Sequence, residues 1–285
     1  MKKAILVPNG QKDASFALTR AAVRCLISLG IIAYIDEEYQ PLEIEDVHFY
    51  SKIPKDADFI IVIGGDGSVI DASGLALELD VPIIGVNLGK VGYLATLDPD
   101  RLDLLSVINS GEAAVLENIL LVAEKHSADG SVIVSERLAV NDVVVSHDSY
   151  LGISDVMLEN GGGDAVHYRA DGIILATPQG STAYSLSAGG PIISHGVDSI
   201  TVTPICPHSF FNRSIVYGPD ERIRITNMNE DALNVSVDGR LFSRLDKGES
   251  CLVYRSDRRI KMYNLEDTNL FSTLSKKIKL LQDLV

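Results

Sequence analysis

The stretch Asp58-Phe59-Ile60-Ile61-Val62-Ile63-Gly64-Gly65-Asp66-Gly67-Ser68 decides the fold. Phe59 to Ile63 is apolar without alternation, which suits a strand covered on both faces. The glycines then break the run, and Val69 to Leu79 can be helical. Val81-Pro82-Ile83-Ile84-Gly85-Val86 follows as a second buried strand. Strand, helix and strand at this spacing predict a parallel sheet with helices on its faces.

Upstream, Lys3 to Val7 is a short apolar strand closed by the turn signal Pro8-Asn9-Gly10. Asp13 to Leu29 places Leu18, Ala22, Cys25 and Leu29 on one helical face, with Gly30 as the stop, and Ile31 to Ile35 is the next strand. After about residue 115 the pattern changes. Leu116–Glu124, Ser131–Leu138, Val143–Ser146, Ile153–Glu159, Ser199–Thr203, Arg222–Thr226, Asn234–Asp238 and Ser250–Tyr254 are short β-rich runs. Asp129-Gly130 and Asn160-Gly161 punctuate them as hairpin turns. Leu270, Leu274, Ile278 and Leu281 share a face of a closing helix over Asp267 to Leu284. The expected class is α/β: an N-terminal open-sheet domain over 1–115, with 262–285 packing back on it, and a β-rich domain over 116–261.

The 285 residues are 46% hydrophobic and carry a net charge of −14. So acidic a surface repels nucleic acid and anionic membranes, and neither is expected as a partner. Met1 to Pro8 opens like a secretory signal, but its apolar stretch is too short, and no apolar run nears the roughly 20 residues that span a bilayer. A cytoplasmic location is the expectation. Cys25, Cys206 and Cys251 lack metal-ligand spacing and read as free thiols; no metal-ligand set is expected.

Gly64 to Ser68 sits where open α/β sheets bind ligands. Glycines let backbone approach a phosphate, and N–H groups at a helix start attract anions. Asp66 fits as acceptor of a proton from an attacking hydroxyl, or in placing Mg²⁺ against phosphates. A tight turn in which Asp66 caps the next helix is the other reading. The stretch is neither the dinucleotide glycine fingerprint nor a P-loop, because no Gly-Lys-Ser/Thr follows.

The second constellation runs from Asp171 to Pro191. A strand enters Thr177-Pro178-Gln179-Gly180, then Ser181-Thr182-Ala183-Tyr184-Ser185-Leu186-Ser187, then Gly189-Gly190-Pro191. Ser181 can cap a short helix, with Thr182, Tyr184 and Ser187 presenting hydroxyls together and Tyr184 stacking on a base. The bland alternative is close packing, with the hydroxyls satisfied by backbone.

Together the two stretches closely resemble the NAD kinase family, with its Gly-Gly-Asp-Gly motif and its Thr-Pro-x-Gly-Ser-Thr-Ala-Tyr segment. Asn87-Leu88-Gly89-Lys90-Val91-Gly92-Tyr93-Leu94-Ala95, Leu138 to Val143 and Thr203-Pro204-Ile205-Cys206-Pro207-His208-Ser209 are similar to further family segments, collinear over about residues 60 to 240. Gly-Gly-Asp-Gly alone is shared with lipid kinases; Thr177 to Pro191 makes the resemblance specific.

The resemblance implies phosphorylation of the 2′-hydroxyl of NAD's adenosine ribose, with ATP (in some members polyphosphate) as donor and a divalent metal, Mg²⁺, supplied with it. It implies Asp66 as the catalytic carboxylate with Gly67 beside it, and Asn141 with Asp142 on the adenosine half. Asp171, Thr182, Ala183, Tyr184, Ser185, Leu186 and Ser187 would line the dinucleotide pocket. Arg169 would approach from the same or a neighbouring subunit of a homodimer or homotetramer, and Arg240 lies near another substrate position. Asp142 departs from the family's Asn-Glu pair by one methylene, a change in reach of roughly 1.5 Å.

Overall fold

The computed structural model describes residues 1–89, 92–148, 152–208, 212–266, 273–275 and 279. The chain forms two compact units, one of residues 1–117 with 260–285 and one of residues 118–259. The class is α/β with a β-rich second part, as expected.

In the first unit, β1 (Lys3–Pro8), β2 (Ile32–Asp36), β3 (His48–Tyr50), β4 (Phe59–Gly64) and β5 (Ile83–Asn87) form a parallel sheet in the order β3-β2-β1-β4-β5. All of β4 is buried, as its unbroken apolar run requires. α1 (Ala17–Ser28) buries Thr19, Ala22, Val23 and Leu26 against one face, in a cluster with Leu6, Ile35, Phe59, Ile61 and Ile84. Leu18, Cys25 and Leu29, expected to lead that face, sit partly buried at its edge. The helix starts later than its pattern suggests. The Asp13 carboxylate accepts from Thr19 N at 2.9 Å and Thr19 Oγ1 at 2.7 Å, satisfying the helix start from outside it. α2 (Asp66–Leu79) follows β4 directly and packs Val69 against β5.

α3 (Ser106–Ser110) leads to β6 (Ala114–His126), which pairs with β7 (Val132–Ala139). β8 (Asp142–His147), β9 (Ser154–Glu159), β10 (Ala165–Ala170) and β11 (Gly172–Ala176) follow, then the single turn α4 (Tyr184–Ser187). β12 (Ile200–Ile205), β13 (Ile215–Tyr217), β14 (Arg222–Asn227), β15 (Leu233–Val237), β16 (Arg240–Leu245) and β17 (Ser250–Asn264) complete the set.

The second unit's core lies between two layers. One carries β10-β9-β14-β17, and the other is an antiparallel sheet ordered β13-β12-β11-β8-β15-β16. Alternate residues meet inside, among them Val156 and Leu158 from one layer and Val143, Val145, Ile173 and Leu175 from the other. Val144, Ile174 and Ala176 point the other way, where Ala188, just after α4, packs on them.

β17 is far longer than its expected five-residue core because it continues until Met262 pairs with Ile83 of β5. The expected tail helix lies mostly outside the described residues; 273–275 and 279 have helical backbone. Among the described residues no helix is long and apolar enough to cross a membrane.

Candidate functional site

Candidate residues occur in both units. In the first, the strand order reverses between β1 and β4, so the loops after these strands open side by side at the carboxyl edge of the sheet. Asn9 fastens one to the other: its N–H donates to Ile63 O at 2.9 Å and its Nδ2 to Ser68 Oγ at 2.8 Å. Asp66 is the first residue of α2, with Gly65 as its N-cap and no side-chain cap bond there, so the capping alternative does not hold.

The half-buried Asp66 carboxylate instead reaches a loop beyond β5. Its Oδ2 accepts from Tyr93 N at 2.9 Å, and its Oδ1 from Leu94 N and Ala95 N, both at 3.0 Å. A carboxylate offers about four acceptor sites, so these bonds leave one, on Oδ2. Burial and the Asp66 charge hold the Tyr93 phenol above its ordinary pKa. Beside this loop lies a cavity of about 500 Å³ lined by Lys12, Asn87, Gly92 and Ala95. Gly67 is exposed on the first turn of α2. Lys90 and Val91 of the expected glycine loop lie outside the described residues.

In the second unit, Asn141 and Asp142 stand at the start of β8, beside the end of β11, where Asp142 pairs with Ala176. Thr177 fixes the approach: its N–H donates to Asn141 O at 2.9 Å and its Oγ1 to Val140 O at 2.7 Å. Gly180 then lies so close that an added Cβ would stand 1.9 Å from Asn141 O. Only a glycine fits there.

The 177–190 segment divides its hydroxyls. Ser181 Oγ donates to Pro178 O at 2.5 Å and accepts from Ile193 N at 3.0 Å, so it does not cap α4. Thr182 Oγ1 donates to Gln179 O at 2.9 Å and is buried. Ser185 Oγ bonds Thr203 Oγ1 at 3.0 Å. Tyr184, Leu186 and Ser187 are exposed, and Ala183 is half-buried. The expectation that Thr182, Tyr184 and Ser187 present hydroxyls together is corrected: Tyr184 and Ser187 face out, and Thr182 turns in to satisfy backbone.

Sequence reasoning missed Asp238, treated there only as the last residue of the β-rich run Asn234–Asp238. Its Oδ2 accepts from Val140 N at 2.8 Å, and its Oδ1 from Asn141 N at 2.8 Å and Asp142 N at 3.1 Å. Asp238 occupies the left-handed region, φ 49°, in a two-residue turn pairing Val237 with Arg240. Asp-Gly in a hairpin signals a turn in the sequence, and nothing local signals the bonds to residues nearly a hundred positions away. Burial foremost, then the Asp238 charge, pushes the buried Asp142 carboxyl up to about 7. Burial also raises Asp238, against the lowering effect of the three N–H donors. Arg240 is exposed at the start of β16.

Asp171 is elsewhere. It precedes β11, whereas Thr177 follows it, and six residues of strand span roughly 20 Å. At that end His147 Nε2 lies 3.9 Å from Asp171 Oδ1, and Arg169 Nε lies 3.9 Å from Asp155 Oδ2, which His167 also engages through its other oxygen. The structure therefore gathers Asn141, Asp142 and the 177–187 segment at one end of β11 and leaves Asp171 at the other, two residues after Arg169 of β10. His208 takes part through its backbone, donating its N–H to Arg169 O at 2.7 Å.

Residues 17–111 match the ATP-NAD kinase N-terminal domain and residues 140–265 the ATP-NAD kinase C-terminal domain. The chain is 34% identical over 287 aligned residues to the NAD kinase of Caldanaerobacter subterraneus subsp. tengcongensis, covering 98% of this chain and 99% of the relative. It is 37% identical over 229 residues to the NAD kinase of Geobacter sulfurreducens, covering 80% of each. Among solved structures, yeast NADH kinase complexed with NADH superposes with a TM-score of 0.83 at 22% identity, over 98% of this chain and 88% of that one. An NAD kinase from Archaeoglobus fulgidus in complex with ATP gives 0.71 at 23%, over 96% and 99%. These two likenesses are of fold. With both domain families matched in order and relatives above 30% identity along nearly the whole length, the chain belongs to the ATP-NAD kinase family.

Proposed function

We propose that the chain phosphorylates the 2′-hydroxyl of the adenosine ribose of NAD with ATP as donor, giving NADP and ADP. The observation that carries the chemistry is the one acceptor site left on Asp66 Oδ2, at the start of α2 beside a cavity and a glycine turn. In the transfer the ribose oxygen bonds the γ-phosphorus, the bond from that phosphorus to the β,γ-bridging oxygen breaks, and the hydroxyl proton passes to Asp66 Oδ2. Three N–H donors fix the carboxylate's direction, so it is oriented before the substrate arrives.

Among the described residues no group of three or more His, Cys, Asp and Glu forms a metal cluster. Mg²⁺ would enter with the donor, held by its phosphate oxygens, and would supply positive charge that offsets the charge on the transferred group.

The dinucleotide is assigned to the second unit, with its adenosine half at Asn141 and Asp142 and the exposed Tyr184 and Ser187 against it. Ala183 and Leu186 add packing, and buried Thr182 and Ser185 hold the segment's shape. Asp171, roughly 20 Å along β11 from Thr177, and Arg169 just before it fit an assembly in which a neighbouring copy supplies them. A homodimer or homotetramer acting in the cytoplasm, with Arg240 at the rim of the dinucleotide site, completes the proposal. Incubation with NAD, ATP and Mg²⁺, coupled to an NADP-specific dehydrogenase, tests it. NADP formation is expected; NAD binding without NADP formation would leave only a dinucleotide-binding protein.

A further inference from the structure

The glycine turn lacks the lysine that a P-loop carries in its own sequence, and the fold brings one to it from elsewhere. Lys12 lies in the loop after β1, whose neighbour across the strand reversal is β4, the strand that delivers Gly64 to Ser68. That loop is braced. Asn9 O accepts from Lys12 N at 3.0 Å and Asp13 N at 2.8 Å, and Asn9 Oδ1 accepts from Gln11 N at 3.1 Å. Lys12 Nζ stands directly over Gly65: a Cβ built on Gly65 would come within 2.5 Å of it. The absence of a side chain at 65 is what admits the ammonium to the turn.

The same lysine lines the 500 Å³ cavity beside the Asp66-held loop. In a chain of net charge −14, with Asp98 and Glu266 also lining this cavity, an ion pair would be the ordinary use of the ammonium. Among the described residues, however, no carboxylate lies within ion-pair distance of Nζ; the lysines that are so paired include Lys3, Lys125, Lys247 and Lys261. An exposed cation over a glycine, at the edge of a cavity, is disposed to take a ligand that is anionic and larger than an ion.

We propose that Lys12 binds the terminal phosphates of the phosphoryl donor, supplying across space the contact that a P-loop lysine makes from within its own loop. The proposal rests on the kinase reading for its substrate, and on the geometry of the first unit for its place. A compact ammonium suits a triphosphate, whose orientation can change during transfer while the point charge follows.

Two measurements test it. In steady-state kinetics, Lys12→Met is expected to raise the KM for ATP about tenfold to a hundredfold, the usual worth of a charge-assisted hydrogen bond. The KM for NAD should stay within about twofold, and Lys12→Arg should recover most of the ATP affinity. An unchanged KM for ATP, or equal rises for both substrates, would overturn the assignment. Calorimetry with inorganic tripolyphosphate, without turnover, gives the second arm. Wild type should bind it and Lys12→Met should bind about tenfold or more weakly. Equal affinity would refute the role of Lys12. If wild type forms no NADP, the kinase reading fails by itself, and the tripolyphosphate arm still decides whether Lys12 holds phosphate.

Discussion

Asp66 and Asp238, one in each unit, do the same thing to the backbone. Each accepts three consecutive N–H groups, one on Oδ2 and two on Oδ1, at 2.9, 3.0 and 3.0 Å for Tyr93 to Ala95 and 2.8, 2.8 and 3.1 Å for Val140 to Asp142. Each thereby holds a segment distant in sequence in a fixed shape. Their settings differ. Asp66 starts a fourteen-residue helix, beside a cavity and glycines that admit phosphate. Asp238 sits in a tight hairpin turn with a second carboxylate, Asp142, repelling it. One polar device thus occurs in two settings: in the first unit it leaves a spare acceptor site beside a cavity, and in the second it brings two acids together at the segment proposed to bind the dinucleotide.

The sharpest way to break this comparison is Asp66→Asn. The amide keeps the shape and can still accept Leu94 and Ala95 N–H, at the cost of facing its NH2 toward Tyr93 N–H, and it loses the acceptor for a proton. Turnover should fall about 10²- to 10⁴-fold while NAD affinity, by titration, changes little. Turnover within a few-fold of wild type would make Asp66 a clasp like Asp238 and nothing more. Asp238→Asn should behave in the opposite sense. Losing one charge-assisted bond and facing an amide toward an N–H should cost about 2 kcal/mol of stability, or roughly 5 °C in Tm. It should raise the KM for NAD more than it lowers kcat, because Asn141 and Asp142 lose their fixed backbone. A large kcat loss with an unaltered Tm would reverse the roles assigned to the two aspartates.

The Asp142–Asp238 pair has no counterpart at Asp66, and it gives the second unit a pH signature. With Asp142 raised from 3.8 to about 7, its contribution favours the folded state below the ordinary aspartate range and is lost as pH rises through about 7. Urea unfolding at pH 5 and pH 8 should therefore show stability from this group falling toward pH 8. Asp142→Asn should flatten that difference. Parallel pH profiles for wild type and variant would mean that the carboxylate titrates near its ordinary value.

Much of the first unit is legible in the sequence because β4 is wholly apolar and glycine marks the turn after it, whereas the three-residue β3, His-Phe-Tyr, offers no such run. The Asp66 bonds are not legible, since their partners are backbone N–H groups 27 to 29 residues away and any side chains could carry them. In the second unit β9 and β14 show in their β-rich runs, whereas β10, reading Ala-Val-His-Tyr-Arg-Ala, is masked by polar residues on its outer face. The hydroxyls of 177–187 are legible as a cluster, but not which of them turn inward. Ser181 and Thr182 turn in to the backbone carbonyls of Pro178 and Gln179, and Ser185 to the Thr203 hydroxyl, partners that only the packed segment brings within reach. Asp238 was hidden by its place at the end of a β-rich run, where nothing local marks its bonds to Val140, Asn141 and Asp142.

Asp142→Glu probes the smallest difference. The family pairs asparagine with glutamate, and this chain has the shorter acid, buried and pressed by Asp238. The added methylene lets the carboxylate reach roughly 1.5 Å further from its own backbone. Separation gained from Asp238 by that reach weakens the repulsion, so the longer acid should ionise more readily and accept a ribose hydroxyl more strongly. A few-fold lower KM for NAD, with kcat within twofold, is expected. An unchanged KM would mean that the site's backbone already compensates for the missing methylene. A raised KM would mean that the buried surroundings of Asp142, packed against Thr177 and Gly180 through Val140 and Asn141, have no room for it, and Asp142 would then be fitted to its space rather than short of its substrate.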